Sequence, residues 1–471
     1  KKSLYNKAKS DRQYWNLYLQ KEDQVKEMIR EAYLKYIDGL MSEAEEGNKR
    51  APKKLWTFIK SRKKENSNVT ALQKSTGELT TDRKEKAELL STQYKSVFTE
   101  EDLSHIPSMG NQPCEEAEGL NIGLRGVEKQ LERLNVKKAI GPDLIPTRTL
   151  KNYKHHIAPI LQHLFQQSIN KETVPTDWKT ANICAIFKKG DKTLSKNYRP
   201  VSLTCVTCKI LEHIIASHIM DHLDNKDILT KNQHGFRRKH SCESQLINTI
   251  EEIAKQVDNG KQIDVIILDF EKAFDTVAHR RLLLKLDYYG IRGHLNGWLE
   301  SWLTGRTQRV VLDGERSTEE IVKSGVPQGT VLGPIMFLIY INNIMEGVSS
   351  AVKLFADDGL LFRKVDTEAD AEELQRDLER VTEWAKIWQM RFNPQKCYTL
   401  RVTRKKKSIE KRYSMMGTIL EEVKNHPYLG VELDDRLTWT TQIGNSKGTQ
   451  QSQLSSQKPV RMPARGEGKG V

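Results

Sequence analysis

The sequence predicts a protein of mixed α and β structure with at least one large hydrophobic core. Three observations support this prediction. The chain has 471 residues, which is enough for two or three domains. Strand-like runs rich in β-branched residues, such as IDVIILDF at 263–270, occur between segments of helical periodicity. One such helical segment, at 366–388, is long and amphipathic.

The N-terminal part of the chain is predicted to be a helical, basic linker region over residues 1–124. Its first hundred or so residues are charged, with apolar positions at helical spacing in YLQKEDQVKEMIREAYLKYIDGL, residues 18–40. Segment 101–124 contains two prolines and no periodic apolar pattern, so we expect an irregular connection to the next domain.

Residues 125–445 alternate between helical and extended patterns. The predicted elements, in order, are a helix at VEKQLERLNVKKA ending at Gly141-Pro142, a strand in TANICAIFKKG (180–190), a buried strand at 263–270, a hairpin at Asp313-Gly314, and helices at 334–344 and 366–388. After Asn445 the chain has almost no apolar content. Residues 446–471 are therefore predicted to form a disordered basic tail.

The last predicted helix has a clear start and a clear buried face. Asp366 and Thr367 both suit its N-cap, because their side-chain oxygens can accept from backbone N–H groups of the first turn. Its apolar stripe comprises Leu374, Leu378, Val381, Trp384 and Trp388.

The charge balance indicates a polyanionic partner. Lys and Arg number 76 against 62 Asp and Glu, a net charge of +14, which fits nucleic acid binding. Solubility alone is the simpler alternative. No segment approaches the roughly 20 apolar residues of a membrane span, and the start of the chain lacks the apolar core of a signal peptide. We therefore expect an intracellular protein with no membrane partner.

Six scattered cysteines are too few for a disulfide framework. Cys205 and Cys208 form a single CxxC pair, with no second pair at the spacing of a zinc site. We expect both to pack in the core.

Two adjacent aspartates lie in an otherwise apolar segment. In KLFADDGLLF (353–362), two short apolar arms flank ADDG, which predicts a β-hairpin with Asp357 and Asp358 at its tip. A solvent-exposed Asp-Asp-Gly turn is the simpler interpretation of this motif alone.

A third aspartate argues against that simpler interpretation. Asp269 ends a strand that is too apolar for a sheet edge, so it should emerge from the interior of a sheet. Three carboxylates meeting there would raise each other's pKa unless divalent cations neutralised them. Mg²⁺ suits such oxygen ligands, and two ions can stabilise both oxygens of an in-line phosphoryl displacement.

The segment KSGVPQGTVLGPIMF (323–337) contains three glycines and two prolines. This composition predicts a rigid, exposed backbone that a flat ligand can approach closely, with Gln328 offering a donor and an acceptor. The alternative is a simple turn before the helix that follows.

The chain resembles the reverse transcriptases of non-LTR, LINE-type retrotransposons of the jockey-like group. Eight of its motifs occur in the order found in that family and at similar distances from one another. The resemblance runs from about Trp178 to Trp439. The motifs are IFKKGD (186–191), NYRPVSL (197–203), QHGFRRKHSC (233–242), LDFEKAFDTVAH (268–279), GVPQGTVLGP (325–334), FADD (355–358), NPQKC (393–397) and HPYLGVELDDRLTW (426–439).

The resemblance implies a right-hand polymerase fold. Residues 125–260 would form the fingers, and residues 261–445 the palm, a small antiparallel sheet backed by helices that includes a primer-grip hairpin. Residues 1–124 resemble the helical linker that precedes this domain and contain nothing like an endonuclease. Since the residues after Trp439 do not continue as a helical thumb, we expect the thumb to be largely missing.

The resemblance also implies a metal site. Asp269, Asp357 and Asp358 match the catalytic triad of the family, with Asp269, Asp357 and the carbonyl of Phe270 as ligands of two Mg²⁺ ions, for which Mn²⁺ can substitute. Asp358 completes the ligand set. Phe355 replaces the tyrosine that usually precedes the Ala-Asp-Asp sequence of this family.

Substrate contacts follow from the same comparison. Lys188, Lys189 and Arg199 would bind the incoming triphosphate, although an ordinary basic turn explains the two lysines equally well. Phe274 would lie under the sugar and exclude a 2′-hydroxyl, the alternative being a core phenylalanine. Asp275 is expected to cap the helix DTVAHRRLLLKL rather than to bind metal.

The remaining expected contacts concern the template and the primer. Gln328 and Gly329 would lie against the nascent base pair or the template, and Lys396 is a candidate proton donor to pyrophosphate. Tyr428, Leu429 and Gly430 would belong to the hairpin that holds the primer end.

The expected function is therefore RNA-directed DNA polymerisation, with an RNA template, a DNA primer and deoxynucleoside triphosphates as partners. The alternative is a catalytically silent, truncated remnant that binds nucleic acid; RNA synthesis is disfavoured by Phe274. The expected location is the nucleus, the cytoplasm or both. The run RKKK (404–407) is either a nuclear signal or a solvated loop.

Overall fold

The computed structural model of the protein describes residues 11–45, 69–111, 114–438 and 442. The chain divides into two compact units, Lys1–Thr70 and Ala71–Val471. The described part of the first unit consists of a 3-10 turn and one long helix, α1 (Trp15–Glu45), which confirms the helical pattern at 18–40. The tail predicted over 446–471 lies outside the described residues.

The second unit contains helices and strands in alternation. Its helices are α2 (Arg83–Lys95), α3 (Leu124–Glu132), α4 (Thr147–Asn152), α5 (Lys154–Asn170), α6 (Thr176–Lys179), α7 (Val206–Asn225), α8 (Cys242–Asp258), α9 (His279–Tyr288), α10 (Gly293–Leu303), α11 (Leu332–Ile341) and α12 (Glu368–Ile387). Its strands are β1 (Leu72–Gln73), β2 (Leu79–Thr80), β3 (Thr180–Phe187), β4 (Tyr198–Leu203), β5 (Gln262–Asp269), β6 (Thr307–Leu312), β7 (Glu315–Arg316), β8 (Glu320–Ile321), β9 (Ala351–Phe355), β10 (Asp358–Val365), β11 (Tyr398–Val402), β12 (Ser414–Met415), β13 (Thr418–Ile419), β14 (Glu421–Val423), β15 (Asn425–Tyr428) and β16 (Val431–Asp434). The predicted mixed α and β fold is confirmed.

A central five-stranded sheet has the order β14-β11-β5-β10-β9. Strand β5 is antiparallel to both of its neighbours, and residues 262–268 are all buried. Its side chains alternate between two hydrophobic clusters, with Val265 and Ile267 in one and Ile266 and Leu268 in the other. Burial on both faces explains why this strand is an unbroken apolar run, and it confirms the predicted interior strand.

A second sheet has the order β4-β3-β6-β7, with β8 paired to β6. The loop between β6 and β7 consists of Asp313 (φ 51°) and Gly314 (φ 91°). Positive φ at both central positions is the pattern of a type I′ turn, which matches the right-handed twist of the two strands. The predicted strand in 180–190 and the predicted Asp-Gly hairpin are both confirmed.

Helices cover the central sheet. Helix α12 packs on β10, and its predicted stripe of two leucines, one valine and two tryptophans is buried. Thr367, rather than Asp366, is its N-cap, and it forms a capping box with Asp370. Every residue of helix α11 except Pro334 is buried, and its sequence is accordingly hydrophobic on all sides.

The helix predicted to run to Gly141-Pro142 is shorter than expected. Helix α3 ends at Glu132, before the proline. The side chain of Asn135 accepts a hydrogen bond from the N–H of Lys137 at 3.0 Å. Such a local side-chain bond offers the backbone a turn instead of a further helical turn.

The region N-terminal to α3 is integrated into the second unit from residue 71 onwards. The carboxylate of Glu101 accepts from the backbone N–H groups of Arg280 and Arg281 at 2.9 and 3.0 Å, where α9 begins. The hydroxyl of Ser324 accepts from the N–H of Thr99 at 2.7 Å. Part of the region predicted as a linker therefore completes the hydrogen bonding of the main fold.

The CxxC pair packs in the core as predicted. Cys205 and Cys208 are buried, and their thiols donate to the carbonyl of Asp177 and to the carboxylate of Glu212. Among the described residues, no helix is long and apolar enough to cross a membrane.

Candidate active site at one end of the central sheet

Strand pairing brings the predicted aspartates to one end of the central sheet. Asp358, the first residue of β10, is the direct cross-strand partner of Asp269, the last residue of β5. On its other side, Asp358 is paired with Phe355, the last residue of β9. Asp357 lies in the hairpin loop between Phe355 and Asp358, so all three carboxylates occur where β5 ends and β10 begins.

The hairpin loop consists of only Ala356 and Asp357. Ala356 has a φ of 53°, in the left-handed region that glycine usually occupies. Its N–H donates to the side-chain oxygen of Gln233 at 2.9 Å. The predicted hairpin is confirmed, and its tip has a backbone conformation that is unusual for alanine.

The acids repel each other at this end of the sheet. Asp358 is exposed at the end of its strand, but partial loss of solvent around its carboxylate, followed by repulsion from Asp357 and Asp269, raises its pKa to about 6. Burial likewise raises the pKa of Asp269, and Asp357 contributes to that rise. The arrangement therefore disfavours three negative charges unless positive charge is close by.

Four basic side chains supply positive charge. Lys188 and Lys189 follow β3, Arg199 lies in β4, and Lys396 ends a short 3-10 turn. Lys396, Lys188 and Lys189 each lower the pKa of Asp269 and so oppose the effect of its burial. Burial lowers the pKa of Lys188, and repulsion from Arg199 lowers it further. Attraction to Asp269 opposes both effects, so these cations lie within electrostatic reach of the acids.

The donor set fits a divalent cation. No group of three or more potential ligands among the described residues is preformed around a metal position. Mg²⁺, however, commonly takes only one or two protein carboxylates and completes its shell with water and phosphate oxygens. Asp269 and Asp357 can supply that number of carboxylates, and their mutual repulsion is the kind that a bound cation relieves.

Phe270 and Phe274 follow β5 in different environments. Phe270 bridges to Phe392 through bonds that use the carbonyl of Asp269 and the N–H of Glu271, so its own carbonyl is outside that bridge. The Phe274 ring stacks on Phe337 with centroids 4.6 Å apart, and it is only partly buried. One face of Phe274 therefore packs on the core.

Half of the residues in the glycine-rich loop at 325–334 are buried and only Gly329 is exposed, contrary to the predicted exposed backbone. A Cβ on Gly325 would lie 2.7 Å from the carbonyl oxygens of Phe274 and Asp275, and one on Gly333 would lie 2.8 Å from that of Pro327. The glycines are thus needed for close packing within the protein.

Gly329 is the exposed glycine of this loop, with a φ of 101°. A Cβ there would lie 2.9 Å from the carbonyl oxygen of Ser202 in β4. The carbonyl of Gln328 also accepts from the N–H of Ser202 at 2.7 Å. These contacts attach the loop to the second sheet.

The prediction that Asp275 caps a helix is wrong. Helix α9 begins at His279, and its first N–H groups donate to Glu101 instead. The carboxylate of Asp275 accepts from the side-chain amide of Gln328 at 3.0 Å. Asp275 thus orients Gln328, which the resemblance places against the nascent base pair or the template.

A short hairpin follows the central sheet. Its strands β15 and β16 are joined by Leu429 (φ 49°) and Gly430 (φ 85°), the pattern of a type I′ turn. Tyr428 is buried, and its hydroxyl accepts from the side chain of Gln245 at 3.3 Å. Burial raises the pKa of Tyr428, with a smaller contribution from Asp358, so the hairpin lies near the acids.

Sequence reasoning missed one residue of this site. Gln233 belongs to the motif QHGFRRKHSC, but no role was assigned to it from sequence. The structure places its carboxamide against the loop that carries Asp357. Its position in a motif was the available signal, but the contact spans 123 residues of chain and cannot be inferred from local sequence.

Comparison with known families identifies the same region. A sequence profile of the family described as reverse transcriptase (RNA-dependent DNA polymerase) matches residues 186–433. The matched region contains the three aspartates, the basic residues Lys188, Lys189 and Arg199, and the glycine-rich loop.

Three curated relatives, all from Drosophila melanogaster, are similar over most of this chain. The RNA-directed DNA polymerase from mobile element jockey is 27% identical over 83% of this chain and 44% of its own length. The probable RNA-directed DNA polymerase from transposon BS is 27% identical, covering 82% and 44%. The corresponding protein from transposon X-element is 31% identical, covering 72% and 37%. The chain spans less than half the length of these relatives.

Proposed function

The chain belongs to the reverse transcriptase family, and we propose that it is an RNA-directed DNA polymerase of a non-LTR retrotransposon of the jockey-like group. It would add deoxynucleoside triphosphates to the 3′-hydroxyl of a primer on an RNA template and release pyrophosphate. The observation that carries this proposal is the register of β5 and β10, which pairs Asp269 with Asp358 and puts Asp357 beside them.

Asp269 and Asp357, assisted by Asp358 and the carbonyl of Phe270, would hold two Mg²⁺ ions, for which Mn²⁺ can substitute. When bound, these ions would stabilise the charge that develops on the attacking and leaving oxygens. Asp269 and Asp358 are terminal residues of two paired strands, and Asp357 lies in the two-residue loop beside them, so the fold would set the positions of the three acids before substrate arrives.

The basic residues around the acids suit a triphosphate. Lys188 and Lys189 directly follow β3 and Arg199 lies in β4, and all three would neutralise the phosphates, which stabilises the negative charge of the transition state. Lys396 ends the short 3-10 turn before β11 and is the candidate proton donor to the leaving pyrophosphate. Lys396 lies close enough to Asp269 to lower the pKa of that carboxylate.

Gln328 and Gly329 would contact the nascent base pair or the template, and Phe274 would contact the sugar. The hydrogen bond from Gln328 to Asp275 supports a fixed orientation of that amide. Tyr428, Leu429 and Gly430 would hold the primer end, which is consistent with the influence of Asp358 on the pKa of Tyr428.

In this proposal, residues 261–445 form the palm, residues 125–260 the fingers, and residues 1–124 the region preceding them. The central sheet with its covering helices corresponds to the palm. The nucleus and the cytoplasm, where RNA templates occur, are the proposed locations. Its partners are an RNA template, a DNA primer and deoxynucleoside triphosphates.

Primer extension on an RNA template, with Mg²⁺ and deoxynucleotides, tests the proposal. The parent chain should extend the primer, and Asp357→Ala should reduce extension to background while primer–template binding persists. Asp366→Ala is the matched control, because Asp366 follows the opposite end of β10 and pairs with Lys261 and Lys364. That variant should extend the primer normally.

Two other outcomes would overturn the proposal. Equal extension by the parent and Asp357→Ala would mean that the activity comes from elsewhere. Absence of extension by the parent, with intact salt-dependent binding of the duplex, would favour the alternative of a silent remnant that binds nucleic acid.

A further inference from the structure

Residues 232–235 run alongside β9 and cover its outer edge. The N–H of Leu354 donates to the carbonyl of Asn232, and the N–H of His234 donates to the carbonyl of Leu354, both at 2.9 Å. Gln233 and Leu354 form a parallel bridge. The segment therefore acts as a one-residue extension of the sheet directly before the loop that carries Asp357.

The side chain of Gln233 reaches that loop. It is 2% exposed, and its oxygen accepts from the N–H of Gly235 at 2.7 Å and from the N–H of Ala356 at 2.9 Å. Its side-chain nitrogen has no hydrogen-bond partner among the described residues. The side-chain oxygen of Gln233 is thus the part of this buried amide that is hydrogen-bonded, and the two groups that donate to it are backbone N–H groups.

The bonded loop residue has an unfavourable backbone conformation. Ala356 has a φ of 53°, which an L-residue with a side chain adopts at an energetic cost and which persists when surrounding contacts enforce it. The hydrogen bond from its N–H to Gln233 is such a contact. Asp357 follows immediately, so the orientation of its carboxylate depends on the conformation of Ala356.

Close packing supports the same connection. A Cβ on Gly235 would lie 2.3 Å from the backbone nitrogen of Ala356 and 3.0 Å from the carbonyl carbon of Phe355. Only glycine fits there without displacing the hairpin. Gln233 therefore contacts the hairpin turn through a hydrogen bond, and Gly235 contacts the same turn through close backbone packing.

We propose that Gln233 is a positioning residue, which holds Ala356 in its left-handed conformation and thereby orients the Asp357 carboxylate towards Asp269. This inference rests on the proposed function, because it assigns to Gln233 the alignment of a metal ligand. Gln233 itself does not contact the substrate or the reacting atoms.

The test uses Gln233→Met, which retains a similar volume but removes the acceptor. The matched control is Gln262→Met at the opposite end of the central sheet. Gln262 is also fully buried, and it exchanges two hydrogen bonds of 2.9 Å with the backbone of Ile409. Both variants lose buried hydrogen bonds, so both should unfold at a lower temperature than the parent.

Only Gln233→Met should affect the metal site. We expect its rate constant for single-nucleotide addition to fall roughly 10- to 100-fold, the range found when an outer partner of a metal ligand is removed. The dissociation constant for Mn²⁺, measured by electron paramagnetic resonance, should rise, whereas the KM for the deoxynucleotide should change little. Gln262→Met should match the parent in all three quantities.

A second substitution tests the mechanism. Ala356→Gly allows the left-handed conformation without steric cost. In that background, the loss caused by Gln233→Met should be smaller than in the parent, because the turn depends less on the hydrogen bond. An equal loss in both backgrounds would overturn the proposed role of Ala356.

The Mn²⁺ measurement separates this proposal from the proposed function. If the parent binds Mn²⁺ but does not extend primers, the polymerase assignment fails, while weaker Mn²⁺ binding by Gln233→Met would still support the positioning role. If Gln233→Met and Gln262→Met equally lack any effect on Mn²⁺ affinity, Gln233 is an ordinary buried amide and the inference is wrong.

Discussion

At the residue scale, Phe274 packs against the core and is only partly buried. Its ring stacks on the buried ring of Phe337 and makes a T-shaped contact with the exposed ring of Phe236 at a centroid distance of 6.4 Å. Both interpretations of the sequence therefore remain compatible with the structure: Phe274 packs on the core and can still present a ring edge to a sugar.

Phe274→Val should admit ribonucleotides. Because the smaller side chain leaves room for a 2′-hydroxyl, the preference for deoxynucleotides should fall by roughly tenfold to a hundredfold. The measurement is the ratio of kcat/KM for the two nucleotide types in primer extension. Phe337→Leu is the control, since it breaks the same ring stack from the core side and should keep the preference. Unchanged selectivity in Phe274→Val would exclude the steric role.

Asp275 links the stability of the protein to pH. Burial raises its pKa from 3.8 to about 6, and Lys272 and the hydrogen bond from Gln328 oppose the rise. The folded state thus binds the proton more tightly than the unfolded state. The stability that Asp275 contributes is fully present below pH 3.8 and is lost as the pH rises through about 6.

Asp275→Asn should remove this dependence. The free energy of unfolding of the variant, relative to the parent, should increase between pH 4 and pH 6.5 by about 2 kcal/mol and then level off. Denaturant unfolding at a series of pH values measures the difference in free energy of unfolding between the variant and the parent. The titration of all other groups is common to both proteins and cancels in that difference. A difference that is constant with pH would contradict the raised pKa.

At the element scale, α9 depends on a carboxylate that is distant in sequence. Glu101 accepts from two backbone N–H groups at the start of the helix and also pairs with the guanidinium of Arg281 at 3.0 Å. The two side chains are 13% and 3% exposed. A buried helix start needs such acceptors, because its first N–H groups have no partner within the helix.

Glu101→Ala should destabilise the protein by about 2 kcal/mol, because it leaves buried donors unsatisfied. The neighbouring Glu100 provides a matched control: its carboxylate pairs with Lys323 at 2.8 Å, but it is 83% exposed. Glu100→Ala should leave the unfolding midpoint unchanged. If Glu101→Ala lowered the free energy of unfolding no more than Glu100→Ala, segment 71–111 would contribute little to the stability of α9.

At the scale of the whole molecule, the charge excess of +14 should control nucleic-acid binding. A protein that neutralises six or more phosphates loses about a thousandfold or more in affinity between roughly 50 and 200 mM salt. We expect a decline of that steepness for a primer–template duplex, measured by fluorescence anisotropy. Affinity independent of salt would contradict backbone recognition.

The basic run at 404–407 provides an internal comparison. It lies after β11, at the opposite end of the central sheet from Asp269, and Arg404 pairs with Asp258 at 2.7 Å. Lys406→Ala combined with Lys407→Ala should therefore leave the salt dependence of duplex binding unchanged. Its role as a nuclear signal stays a prediction.

The sequence determined the elements whose pattern is local. The period-two and period-3.6 spacing of apolar residues located β5, the β9–β10 hairpin and α12, and the Asp313-Gly314 pair determined the turn between β6 and β7. The three aspartates were also identifiable from sequence, because a carboxylate at the end of a buried strand needs a positive partner.

The tertiary structure alone decided contacts between distant segments. Glu101 rather than Asp275 completes the start of α9, Asp275 instead holds Gln328, and Gln233 fixes the turn at Ala356. None of these pairings has a local signature. Each depends on buried donors and acceptors that find partners only when the strands and helices pack, since an unsatisfied polar group is costly once water has been excluded.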